Sequence, residues 1–184
     1  APTAPTAFPT AAPTKAPTTP PTHAPVPFPQ WCPVPASCSW SQLGADIDGE
    51  AAGDHSGSDV SISGDGSTVA VGSTLQGSSR TGEVRIFSYS GTGWVQKGAD
   101  IHGKGHSDFA YKSSLSDDGS IVATIGHKSA HGQDQGSITI YKFHGSAWVQ
   151  LGAGIDGDEG SAGGYNGASG VALSGDGSTV VVGG

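Results

Sequence analysis

A tryptophan returns every 54 residues in this chain, and each time it opens the same short phrase. Trp40 begins W-S-Q-L-G-A-D-I-D-G, Trp94 begins W-V-Q-K-G-A-D-I, and Trp148 begins W-V-Q-L-G-A-G-I-D-G. A second phrase recurs between them: S-I-S-G-D-G-S-T-V-A-V-G from Ser61, S-L-S-D-D-G-S-I-V-A-T-I-G from Ser114, and A-L-S-G-D-G-S-T-V-V-V-G from Ala172. Self-similarity at a fixed period describes one supersecondary unit copied along the chain, with neighbouring copies burying one another's apolar faces.

Within one period the apolar residues alternate with Ser, Gly and Thr and are mostly β-branched, the pattern of short strands rather than helices. The reading gives four strands per repeat: the Trp segment, Val60–Ser63, Thr68–Ser73 and Glu83–Tyr89. Gly64-Asp65-Gly66 and Gly91-Thr92-Gly93 supply residues tolerant of positive φ and are read as hairpins. Val84 and Ile86, alternating with Arg85 and Ser88, suit a strand with one wet face. Four antiparallel strands in a 54-residue period is the arithmetic of a β-propeller blade. The expected fold is therefore all-β, a partial β-propeller with repeats at 40–93, 94–147 and an incomplete 148–184. A β-solenoid or sandwich is the alternative.

The run from Gly57 to Ser73, followed by G-E-V-R-I-F at Gly82–Phe87, resembles the FG-GAP-like repeat of integrin-α-type β-propellers. The phrase from Trp40 to Asp54 is similar to a variant found in secreted algal and microbial surface proteins, often beside Pro/Thr-rich tracts. The resemblance covers 40–184 and implies an extracellular adhesive or scaffold role. It carries over no calcium site, because the D-x-D-x-D-G loop of the integrin pattern is missing here.

Counted along the sequence, this reading gives a leading strand at Trp40, two full blades and two trailing strands, eleven in all. Closed propellers need about four to eight blades. Either the sequence belongs to a longer polypeptide, or a strand from a neighbouring molecule completes the partial blade. Unpaired strand edges are templates for such addition, and head-to-tail contacts build filaments unless they close into a ring.

All 12 prolines lie between Pro2 and Pro35, and from Pro5 to Pro33 one recurs every four residues. Proline at that density removes helix and central strand as options and leaves polyproline II. Segment 1–30 is thus read as a rod, which at about 3.1 Å per residue reaches on the order of 90 Å. Thr3, Thr6, Thr10, Thr14, Thr18, Thr19 and Thr22 wind around it in the manner of an O-glycosylated stalk. Glycosylated hydroxyproline and a bare flexible linker are the alternatives. The sole asparagine, Asn166, makes no N-glycosylation sequon.

Segment 31–39 is read as a junction closed by a disulfide between Cys32 and Cys38, whose spacing does not match two-residue redox or zinc motifs. A disulfide implies an oxidising compartment. With a chain beginning at Ala1, this reads as a mature secreted or cell-surface product. A net charge of −8 argues against nucleic acid, and no stretch approaches the roughly 20 apolar residues of a membrane span.

The acidic set Asp46, Asp48, Glu50 and Asp54 has calcium-site chemistry. The second repeat breaks it with Asp100, His102 and Lys104, while the third keeps Asp156, Asp158 and Glu159, so it is read first as a solvated loop, with no metal or other cofactor expected. His102, His106, His127 and His131 share one repeat and are read as exposed, with convergence on a metal as the alternative. Asp65, Asp118 and Asp176 are assigned to their turns, and Trp40, Trp94 and Trp148 to packing between repeats, with sugar stacking as the alternative. No nucleophile motif appears, and His106, Ser107 and Asp108 are adjacent in sequence, unlike a triad assembled in space. The expectation is a non-enzymatic structural or adhesive glycoprotein that self-associates into a fibre or coat. The alternative is a lectin-like carbohydrate-binding module.

Overall fold

The computed structural model describes residues 40–76, 81–103, 112–126, 137–156 and 170–183. The rod 1–30 with its threonines, the junction with Cys32 and Cys38, and His106, His127, His131, Asp158 and Glu159 lie outside them. Gln42–Gly184 forms one compact unit. Its described residues hold twelve strands, all in antiparallel sheets. They contain no helix, and so none long and apolar enough to cross a membrane.

The first sheet runs β1 (Ser56–Ile62), β2 (Thr68–Gln76), β3 (Thr81–Tyr89) and β4 (Trp94–Gln96) in chain order, each paired with the next. A two-residue strand, β5 (Ile101–His102), then pairs with β3 beyond the end of β4. The second sheet repeats this plan with β6 (Lys112–Leu115), β7 (Ile121–Gly126), β8 (Ser137–His144), β9 (Ala147–Gln150) and β10 (Ile155–Asp156), the last again pairing with β8. The third comprises β11 (Gly170–Leu173) and β12 (Val180–Gly183). The register is kept as well: Tyr89 faces Trp94 in one sheet, and Phe143 faces Trp148 in the next.

The hairpin joining β1 to β2 is fixed by its own side chains. The Ser63 hydroxyl donates to Asp65 Oδ1 at 2.7 Å and accepts from the Thr68 N–H at 2.9 Å, while the Ser67 N–H donates to the same Asp65 oxygen at 2.8 Å. Asp118 and Asp176 repeat the arrangement with Ser116 and Ser120, and with Ser174 and Ser178. Aspartate thus holds the turn, as its position in the repeated phrase implies. The second sheet then packs on the first. Ala70, Val84, Ile86 and Ile101 meet Leu115 and Val122, with Tyr141 and Trp148 against the edge of this core.

Two expectations are corrected. Residues 40–43 form no strand, unlike the Trp segments β4 and β9, each of which pairs with the strand before it. Nor does β3 have a wet face around Arg85. Glu83 is 0% and Arg85 5% exposed, since the segment leading into β1 covers them: the Arg85 guanidinium donates to the Asp48 carbonyl at 2.8 Å and to the Ser56 hydroxyl at 3.1 Å.

Candidate functional site

Neighbouring repeats are joined by hydrogen bonds that themselves repeat. The indole Nε1 of Trp94 donates to the carbonyl of Leu43 at 2.8 Å, and that of Trp148 donates to the carbonyl of Lys97 at 2.6 Å. Leu43 and Lys97 stand at the same place in the W-x-Q-[LK]-G phrase, so each tryptophan is seated on the phrase of the repeat before it. The glycine that follows makes room. A Cβ on Gly98, whose φ is +82°, would lie 2.8 Å from Trp148 Cδ1. The phrase therefore encodes both halves of a joint, the indole and the seat for the next indole.

A second set of bonds ties the inner strands. The Leu115 N–H donates to the Ser61 hydroxyl at 3.0 Å, and the Leu173 N–H donates to the Ser114 hydroxyl at 2.9 Å, the same positions one repeat later. Asp59 accepts from the Ser113 N–H at 2.8 Å. Lys97 spans the seam, donating to the Gly119 carbonyl at 2.8 Å with its ammonium over the rings of Phe143 and Trp148. Burial lowers its pKa, opposed by the charges of Asp118 and Asp65.

A cluster of ionisable groups lies on the first sheet. Glu83 and His102 face each other in the β3–β5 ladder, and ligand atoms of Glu83, Asp100 and His102 all lie within 4.8 Å of one another. Glu83 Oε2 is 3.5 Å from His102 Nδ1, and Oε1 is 3.7 Å from Arg85 Nε. Neither carboxylate oxygen has a hydrogen-bond partner, nor does Arg85 Nε. Burial pushes the Glu83 pKa up, and the charges of Asp100 and Glu50 push it further, against the pull of His102 and Arg85.

Among the acidic residues singled out in the sequence, the carboxylates of Asp46, Asp48, Glu50 and Asp54 do not converge as a ligand set. Asp54 turns inward, where it accepts from the N–H groups of Ser56 at 2.9 Å and Ala51 at 3.3 Å, and the Ser56 bond above all holds its pKa down. Asp46 accepts from Gln42, and Asp48 contributes its backbone carbonyl to Arg85. His102 is half-exposed, as expected, but its neighbour is Glu83, a residue the sequence reading left as part of a strand. The only hint in sequence was an acid in a strand position where the next repeat has Ser137.

No family model, curated protein or solved structure matches this chain.

Proposed function

We propose that the chain is a structural or adhesive component of an extracellular fibre or coat, with FG-GAP-like repeats stacked as blades of a partial β-propeller. In this reading segment 1–30 is a polyproline II spacer carrying O-glycans, and Cys32 and Cys38 close the junction between them. The repeated indole-to-carbonyl joint is the observation that carries the proposal. Among the described residues it is made twice, and neither Trp40 nor the seat at Leu151–Gly152 takes part in it. Trp40 is fully exposed. At the other end Gly152, which follows Leu151 as Gly98 follows Lys97, has φ +66° and nothing within 4 Å of an added Cβ. Exposed apolar side chains accompany them: Val60 and Ile62 on β1, Val181 and Val182 on β12.

Contacts between different surfaces of like molecules propagate head to tail. Trp40 of one copy would thus sit on Leu151–Gly152 of the next. Sedimentation of the full chain over a range of concentrations tests this. A mass that rises with concentration, and falls back to one copy in Trp40→Ala, is expected. A single-copy mass throughout would count against assembly through this joint. Peptide mass spectrometry over 1–30 tests the glycans separately, with hexose additions expected on the threonines.

A further inference from the structure

We propose that Glu83, Asp100 and His102 bind one divalent transition-metal ion, with zinc as the best match, pinning β5 to β3. The site is distinct from the repeat joint and does not depend on assembly.

Glu83 is the decisive residue. Its carboxylate is 0% exposed, and neither oxygen is hydrogen-bonded. A buried carboxylate without hydrogen bonds is costly in any fold, and buried charges are normally paired or coordinated to metal. Arg85 does not resolve this. It approaches Oε1 only at 3.7 Å through Nε, beyond hydrogen-bonding distance, while its bonds to the Asp48 carbonyl and the Ser56 hydroxyl run from Nη2. Oε2 faces His102 instead. Nor does the repeat require an acid at this place, since the second sheet builds the same ladder with Ser137 opposite Asp156.

The donor set fits a first-row ion better than calcium. One imidazole nitrogen and two carboxylates suit zinc, whereas calcium wants about six to eight oxygens. Two ligands about 2.0–2.1 Å from a tetrahedral ion stand about 3.4 Å apart. The separation of Glu83 Oε2 and His102 Nδ1 is 3.5 Å. Asp100 has one oxygen held by the Gln96 amide, which orients the carboxylate and leaves its other oxygen for the ion. The His102 side chain is 50% exposed, which provides an entry path. Three protein ligands leave a fourth position for water.

The test is calorimetric titration of the metal-free full chain with ZnCl2, alongside thermal melts with and without zinc. One zinc per chain and a raised Tm are expected. His102→Ala, on a half-exposed side chain, and Glu83→Gln should each weaken binding by at least about 100-fold and abolish the Tm shift. His55→Ala, a histidine just before β1, should leave both intact. Absence of zinc binding, or zinc affinity unchanged in His102→Ala, would overturn the assignment. So would a Tm shift given by CaCl2 and not by ZnCl2. Should Glu83→Gln fail to fold by circular dichroism, His102→Ala alone decides.

Discussion

The indole nitrogen of Trp148 lies 2.6 Å from the carbonyl oxygen of Lys97, joining residues 51 apart in sequence across the seam between two sheets. Trp94 and Leu43 form the same pair one repeat earlier. Trp148→Phe keeps a ring against Phe143, whose centroid is 5.1 Å away, and removes only the donor. Loss of one such bond, with the carbonyl left partly able to find water, costs about 1 kcal/mol. Urea unfolding should show that loss with an unchanged m-value. Trp148→Ala also loses the ring packing and should cost about 3 kcal/mol.

Gly119 and Gly66 occupy the same turn position with similar backbones, φ +60° and +73°, but only Gly119 is pressed against another repeat. A Cβ there would lie 2.6 Å from Thr68 Cβ, whereas one on Gly66 would meet nothing within 4 Å. Gly66→Ala should therefore cost only the left-handed backbone penalty, about 1–2 kcal/mol. Gly119→Ala adds overpacking of about 1–3 kcal/mol. Equal losses in the two variants would mean that the sheets do not stack as described.

Strong acid should loosen the hairpins. Asp65, Asp118 and Asp176 are held below the usual carboxylate range by serine hydroxyls and backbone N–H groups, Asp176 down to about 2. A lowered folded pKa contributes stability that is present above the unfolded value of 3.8 and is lost as pH falls through the folded one. The urea midpoint should thus fall between roughly pH 4 and 2. Asp118→Asn keeps an acceptor but no charge. It should cost about 1 kcal/mol at neutral pH and make the acid slope shallower.

What was legible in the sequence was what depends on neighbours in the chain. The Ser-Gly-Asp-Gly-Ser turns, the strands around them and the spacing of the tryptophans all follow from local chemistry repeated at a fixed interval. The burial of Glu83 and Arg85 did not, because alternation of apolar and polar residues separates the two faces of a strand without saying what covers the polar one. Here the cover is residues 48–56, through Asp48 and Ser56. The strands β5 and β10 are two residues long, too short to leave a period. His102 was visible as a metal-ligating residue type, but its partner Glu83 is brought opposite it by ladder register alone.

Glu83 should make the metal-free protein respond to mild acid in the opposite sense from the hairpins. Its folded pKa is raised above the ordinary 4.5, so the native state binds this proton more tightly than the unfolded chain does. Between the folded and unfolded values stability therefore rises as pH falls, and above the folded value the charged, buried carboxylate is a constant burden. Glu83→Gln removes the titration while Arg85 keeps its bonds to Asp48 and Ser56. In chelator at neutral pH the variant should be more stable relative to wild type than it is near pH 4.5, because only the wild type carries the buried charge there. That advantage should shrink as pH is lowered toward about 4.5 and disappear near it. The difference between wild-type and variant urea midpoints, followed from about pH 8 to pH 4, isolates this residue from the aspartates. A difference independent of pH would mean that Glu83 does not titrate in the folded protein over that range.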